Sequence, residues 1–270
     1  MFKALNKIGY QAYLEKFPFH EDLGIDLSLY KKQHKDLNRK IKASIYEYVD
    51  AKNFTPYPAE LDDLIRLHYL VTSRKVKTIL EFGAGLSTKV FDHALTINKN
   101  LYSDYVGSNL RINNPFECHT VETSKKWIKT NKNKFPSKNV IYYRSKCITA
   151  TFNERICTMY KKLPNICPDF IYLDGPDQYS VTGNIRGIST RHINRLPMAG
   201  DLLAMEHFLL PGTLIAVDGR TANARFLKTN FQRNWKYHYF KNYDQHFFEL
   251  DEMPLGILNE RQINFKHKKF

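Results

Sequence analysis

The sequence predicts an α/β protein, a mostly parallel β-sheet with helices on both faces. Three observations predict it. From about residue 57, short apolar runs alternate with segments of helical periodicity, the pattern of parallel strands joined by crossover helices. Two of these runs, PDFIYLDG at 168–175 and GTLIAVDG at 212–219, are apolar almost throughout, as strands buried on both faces are. The stretch TILEFGAGLSTKVF at 78–91 passes from an apolar run through an acid and two glycines into a helical pattern, where a strand hands over to a helix.

The elements follow in order. Residues 1–56 are polar and helix-like in places, as in HKDLNRKIKASIYEYVDA, and are expected to form an N-terminal helical extension. TPYP at 55–58 is a breaker cluster, so the main domain is expected over 57–270. In AELDDLIRLHYLVTS the apolar residues fall near helical spacing. KTILEF (77–82) reads as a strand and LSTKVFDHAL (86–95) as a helix. KNLYSDYVGSNLRINNPF (99–116) reads as an inserted loop or hairpin. ECHTVET (117–123) is strand-like, SKKWIKTNKNKF (124–135) helical and NVIYYRS (139–145) a strand. After the run at 168–175, RLPMAGDLLAMEHFLL (195–210) is expected to be a helix that packs His207 behind the sheet. WKYHYF (235–240) and HFFELDE (246–252) are expected to close the sheet as an antiparallel pair.

Bulk properties narrow the function classes. Hydrophobic residues make up 43% of the chain, enough for a sizeable core, so global disorder is excluded. No run of 18 apolar residues is present, so no transmembrane helix is expected. The N-terminus lacks the apolar core and cleavage site of a secretory signal. A soluble cytoplasmic protein is the expectation. Cys118, Cys147, Cys157 and Cys167 are spread out, without zinc-ligand spacing, and read as free thiols. The formal charge is +14, with lysines crowded into 121–165 and arginines recurring at 186, 191, 195, 220, 225 and 233. Such an excess favours anionic partners, unless it is simply a solvated surface.

Ligands of open α/β sheets bind beyond the carboxyl ends of the strands. Acids stand there four times: Glu81, Glu122, Asp174 and Asp218. Gly83 and Gly85 allow a tight turn and a close approach of backbone to a ligand. Position 88, the third glycine of a dinucleotide fingerprint, is Thr88, so the dinucleotide version fits poorly. Glu122, at the end of the next strand, suits a ribose, because a carboxylate accepts from both hydroxyls.

In these residues the chain resembles the class I S-adenosylmethionine-dependent methyltransferases. It is closest to the group whose first motif reads L-E-F-G-x-G-x-S-T, here Leu80 to Thr88. The resemblance covers roughly 57–252. It implies a Rossmann-like, doubly wound seven-stranded sheet with an antiparallel last strand. It also implies a cofactor site of Glu81, Gly83, Ala84, Gly85, Ser87, Thr88, Glu122, Ser145, Lys146 and Asp174. Within it, Glu81 and the loop would hold the methionine portion, Glu122 the ribose, Ser145 and Lys146 would flank the adenine, and Asp174 would approach the methyl group. The chain departs from the pattern in the gap of 41 from position 81 to position 122, and in Ser87 where the usual motif has a third glycine.

Methyl transfer needs an aligned nucleophile and often a base. The segment DGPDQYSVTGNIRGISTRHINRLP offers Asp174, Asp177 and His192 for proton transfer. It offers Arg186, Arg191, Arg195 and Tyr179 for an acceptor bearing phosphate or carboxylate. Asp174 and Asp218, at neighbouring strand ends, can bind Mg²⁺ and polarise an acceptor hydroxyl. The competing reading has Asp174 on cofactor or substrate directly and Asp218 capping the next turn. The leading expectation is O-methylation of a small anionic or sugar acceptor, such as a phosphorylated or nucleotide-linked polysaccharide precursor. A nucleic-acid methyltransferase is the alternative from the basic stretch, although no N/D-P-P-Y/F motif is present. A non-catalytic binding or scaffold protein and a dehydrogenase follow. The N-terminal extension has three readings: to cover the active site, to make a homo-oligomer, or to dock on a membrane surface.

Overall fold

The computed structural model describes residues 2–5, 7–25, 27, 60–194 and 198–270. By its contacts the chain divides into two compact units, Met1–Arg66 and Leu67–Phe270. The described part of the first holds three short helices, α1 (Phe2–Leu5), α2 (Tyr10–Lys16) and α3 (Phe19–Asp22). Its buried Arg66 donates to Tyr10 Oη at 2.9 Å and Asp62 Oδ2 at 2.9 Å, and also to Asp63. The helix-like stretch 34–51 and the breaker TPYP lie outside the described residues. The boundary between the units falls within α4 (Leu61–Ser73).

The second unit is built on a seven-stranded sheet in the order β3-β2-β1-β6-β8-β10-β9, as a Rossmann-like doubly wound fold predicts. Its strands are β1 (Thr78–Phe82), β2 (Glu117–Glu122), β3 (Val140–Arg144), β6 (Phe170–Leu173), β8 (Leu214–Asp218), β9 (Trp235–Phe240) and β10 (Gln245–Leu250). β10, the last strand in sequence, runs antiparallel to both of its neighbours. The central strands β1 and β6 are buried along their whole length, which is why their sequences show no alternation. Leu80, Phe82, Ile171, Leu173, Ile215 and Val217 form the middle of the main core.

Three expectations are corrected. Residues 99–109 are neither loop nor hairpin. They continue one helix, α5 (Leu86–Asn109), because Tyr102, Tyr105 and Val106 fall on one helical face. That face packs on Phe265 of the C-terminal helix α9 (Gly256–His267). The helix expected over 195–210 is reduced, in its described part, to α7 (Asp201–Ala204) and a 3₁₀ turn at Glu206–Phe208. The preceding residues bond instead to a strand, Thr158 N to Met198 O at 2.7 Å and Gly200 N to Thr158 O at 2.8 Å. His207 is exposed rather than packed.

That strand belongs to a second sheet, in the order β5-β4-β7, beyond the strands expected from the sequence. Its hairpin is β4 (Cys147–Phe152) and β5 (Arg155–Tyr160), turned by Asn153 and Glu154, both at positive φ. β7 (Val181–Thr182) pairs with β4 and carries the connection after β6 alongside it. The remaining helices are α6 (Lys125–Lys134) and α8 (Thr221–Asn230).

Candidate functional site

The site begins under the loop that follows β1. Glu81 is fully buried, and its carboxylate accepts three hydroxyls: Ser87 Oγ at 2.6 Å, Thr88 Oγ1 at 2.6 Å and Thr120 Oγ1 at 2.7 Å. Burial pushes its carboxyl up to about 7, with the three hydroxyl bonds opposing the rise. Ser87 and Thr88, both buried, therefore point down onto Glu81. A serine in place of a third glycine has a local reason here, as a donor to a buried acid.

The loop itself is fixed by its own amides. Gly83 N donates to Val121 O at 2.9 Å, Ala84 N to Glu122 Oε2 at 3.1 Å and Gly85 N to Thr88 Oγ1 at 3.0 Å. Gly83 has φ +94, open to glycine at little cost. Opposite it stands Gly175, where a Cβ would lie 2.7 Å from Gly83 N and 2.8 Å from the Phe82 carbonyl. The ends of β1 and β6 thus meet backbone to backbone, with no side chain between them.

Around this loop the structure gathers the other strand ends. Glu122, half-buried, also accepts from Thr123 Oγ1 at 3.0 Å and Ser124 N at 2.8 Å. Ser124 caps α6 by accepting from Trp127 N, and the Trp127 indole N–H donates back to Ala84 O. Ser145 is buried and its amide bonds Glu122 O at 3.0 Å, while Lys146 beside it is exposed. Asp174 N donates to Phe82 O at 3.1 Å, which places its half-exposed carboxylate beside the loop.

Arg220, one of the recurring arginines of the sequence, is the added member of the site. It donates to Asp174 O at 2.6 Å and Pro176 O at 3.0 Å, and reaches Asp174 Oδ1 at 3.4 Å. Its signal in the sequence was slight: an arginine two residues past a strand-end acid. Asp218 Oδ2 accepts the Tyr172 hydroxyl at 2.9 Å.

Toward a divalent cation, Asp174 and Asp218 each have one carboxylate oxygen engaged, by the Arg220 guanidinium at 3.4 Å and by the Tyr172 hydroxyl at 2.9 Å, and Gly219 adds no side-chain donor. Among the described residues, the one group of three potential metal ligands is Glu60, Asp62 and Asp63, which lies in the other unit around Arg66.

The acceptor-side residues are less assembled. Asp177 is exposed and accepts from Tyr179 N at 2.9 Å, a local turn. Tyr179 is half-buried, Arg186 sits at positive φ in the turn Ile185–Ile188, and Arg191 and His192 are exposed. His192 Nδ1 accepts from Asn194 N at 3.1 Å. Among the described residues no hydrogen bond or ion pair joins these arginines or His192 to Asp174. Arg195 lies outside the described residues.

No protein-family model matches the chain, and no curated protein matches it. Among solved structures it is similar to a Staphylococcus aureus protein described as a caffeoyl-CoA O-methyltransferase, at 13% identity and TM-score 0.38, over 80% of this chain and 100% of that one. It is similar also to an O-methyltransferase from Bacillus cereus in complex with SAH, at 13% identity and TM-score 0.38, over 90% of this chain and 100% of that one.

Proposed function

We propose that the chain is an S-adenosylmethionine-dependent methyltransferase that methylates a hydroxyl of a small anionic or sugar acceptor. One observation carries this reading. All three amides of the Gly83–Gly85 loop donate within the chain, and carboxylates stand at the ends of the strands around it. Coenzymes bearing a pyrophosphate are clasped by open loop amides at a helix start. A loop with its amides committed suits instead a phosphate-free adenosine that carries positive charge.

The residues present fit such a cofactor. Glu122 has acceptor capacity beyond its three bonds for a ribose, since a carboxylate offers about four lone-pair sites. The glycines at 83 and 175 let the ends of β1 and β6 meet backbone to backbone beside the loop. When bound, the cofactor supplies an electrophilic methyl group on a sulfonium. The acceptor hydroxyl must lose a proton as it is methylated. Asp174 is the exposed carboxylate beside the loop, contacted by Arg220, and is assigned as its acceptor ahead of Asp177 and His192. Arg186 and Arg191, exposed on the connection after β6, favour an acceptor with phosphate or carboxylate.

Titration calorimetry with S-adenosylhomocysteine tests the reading. Wild type is expected to bind, and Glu122→Ala to bind about tenfold or more weakly, since hydrogen bonds to a charged group contribute roughly 1.5–3 kcal/mol. Gly83→Val is expected to abolish binding, because it forces a side chain against Asp174 O and Gly175 at 3.2 Å from a strained backbone. Absence of binding in the wild type would sink the proposal.

A further inference from the structure

Six exposed cations stand on adjoining segments at one rim of the strand ends. Lys125 and Lys126 open α6, Arg144 ends β3 and Lys146 follows it, and Lys161 and Lys162 follow β5. The backbone draws them together. Lys161 N donates to Lys146 O at 2.9 Å, Lys162 N to Ser145 Oγ at 2.9 Å, and Ser145 N to Glu122 O at 3.0 Å. Arg144 is the register partner of Glu122. Ser145 is turned inward between Arg144 and Lys146, so those two project on the same side of an extended chain. All six are exposed, and among the described residues none takes part in an ion pair.

The arrangement works against folding. The first turn of α6 has two lysines and no acid, the wrong sign for the positive end of a helix dipole, and the one carboxylate at that end, Glu122 on Ser124 N, also serves the loop at Ala84 N. Gathering like charges on adjoining elements adds repulsion. A solvated lysine face needs neither feature. The rim also borders the candidate site: Glu122 bonds the loop at Ala84 N, and Tyr160, just before Lys161, packs its ring 5.7 Å from Phe82.

We propose that this rim binds adjacent phosphate groups, those of an acceptor of nucleoside-diphosphate type, and holds them at the mouth of the site. That the ligand is the methyl acceptor rests on the methyltransferase reading; that the rim binds phosphates does not. With the loop amides committed, phosphates find their partners at the rim, where ammonium groups act as point charges toward them. Trp127, 39% exposed and next in the chain to Lys126, adds a ring face for a base.

Calorimetry of the full chain with inorganic tripolyphosphate, uridine diphosphate and a short single-stranded oligouridylate tests this. The comparison is with Lys125→Gln/Lys126→Gln/Lys161→Gln/Lys162→Gln and with the same four positions changed to arginine. Tripolyphosphate and uridine diphosphate are expected to bind the wild type. The glutamine variant should lose at least about tenfold and the arginine variant less than about threefold, as charge complementarity requires. S-adenosylhomocysteine affinity should be equal in all three proteins. The proposal is overturned if neither phosphate compound binds, if the glutamine variant binds them as wild type does, or if only the oligouridylate binds, which would make the rim a polymer track. Phosphate binding without S-adenosylhomocysteine binding would uphold the rim and remove the methyltransferase reading; the reverse would remove the rim alone.

Discussion

Glu81 shows how a strand-end acid divides its role between shape and chemistry. Its carboxylate is spent on Ser87, Thr88 and Thr120, so it organises the loop from beneath. Burial raises its carboxyl from 4.5 to about 7. Between those values the folded chain keeps a proton that the unfolded chain has released. Its stability contribution is thus full below about 4.5 and is lost as pH rises toward 7. Glu81→Gln is expected to flatten this decline by up to about 3 kcal/mol, read from urea unfolding at several pH values between about 5 and 7. Asp201, also raised to about 7 by burial, keeps its own share of the slope. An unchanged slope in the variant would place the titrating group elsewhere. The acids themselves were legible in the sequence, because an acid at the end of an apolar run is a local pattern. Arg220 was not, because its partner Asp174 lies 46 residues away and only the pairing of β6 with β8 brings them together.

The elements that local pattern reads well are the central strands, whose neighbours on both faces are apolar whichever way the chain is followed. The misread ones answer to distant partners. The second half of α5 is helical where its tyrosines meet Phe265, and α9 carries no clear amphipathic pattern because few of its positions, Asn259 and Phe265, are buried while Ile257 and Leu258 face outward. Phe265 thus joins the first connection of the unit to its last helix. Phe265→Ala is expected to lower stability by about 3–5 kcal/mol in denaturant unfolding, with Tyr102 and Tyr105 losing their ring partner. A loss under about 1 kcal/mol would mean that the α5–α9 contact adds little. The β4–β5 hairpin was missed for a related reason. Its Asn-Glu turn is a weak hairpin signal beside Asn-Gly, and its pairing to residues 198–200 depends on Gly200, where a Cβ would lie 2.5 Å from Cys157 Sγ.

At the scale of the whole molecule the charge of +14 acts beyond any single contact. Exposed charges are screened over about 8 Å at physiological ionic strength. Tripolyphosphate binding at the lysine rim is therefore expected to weaken by more than about tenfold between low salt and about 0.3 M. S-adenosylhomocysteine, which the proposed function places at Glu122 and the loop, should change by less than about threefold. Equal salt dependence of both ligands in calorimetry would show that the rim and the loop are not separate in chemistry. The sequence by itself determined the strands of the main sheet: which runs are buried, where each ends, and that an acid and glycines stand at those ends. Burial on both faces and the demands of a tight turn are written in neighbouring residues. Only the tertiary structure decided which way those groups point. Ser87 and Thr88 turn inward because a buried carboxylate needs donors, Arg220 stands on Asp174 because the pairing of β6 with β8 brings the two strand ends together, and the lysines of three separate segments line one rim because backbone bonds bring those segments side by side.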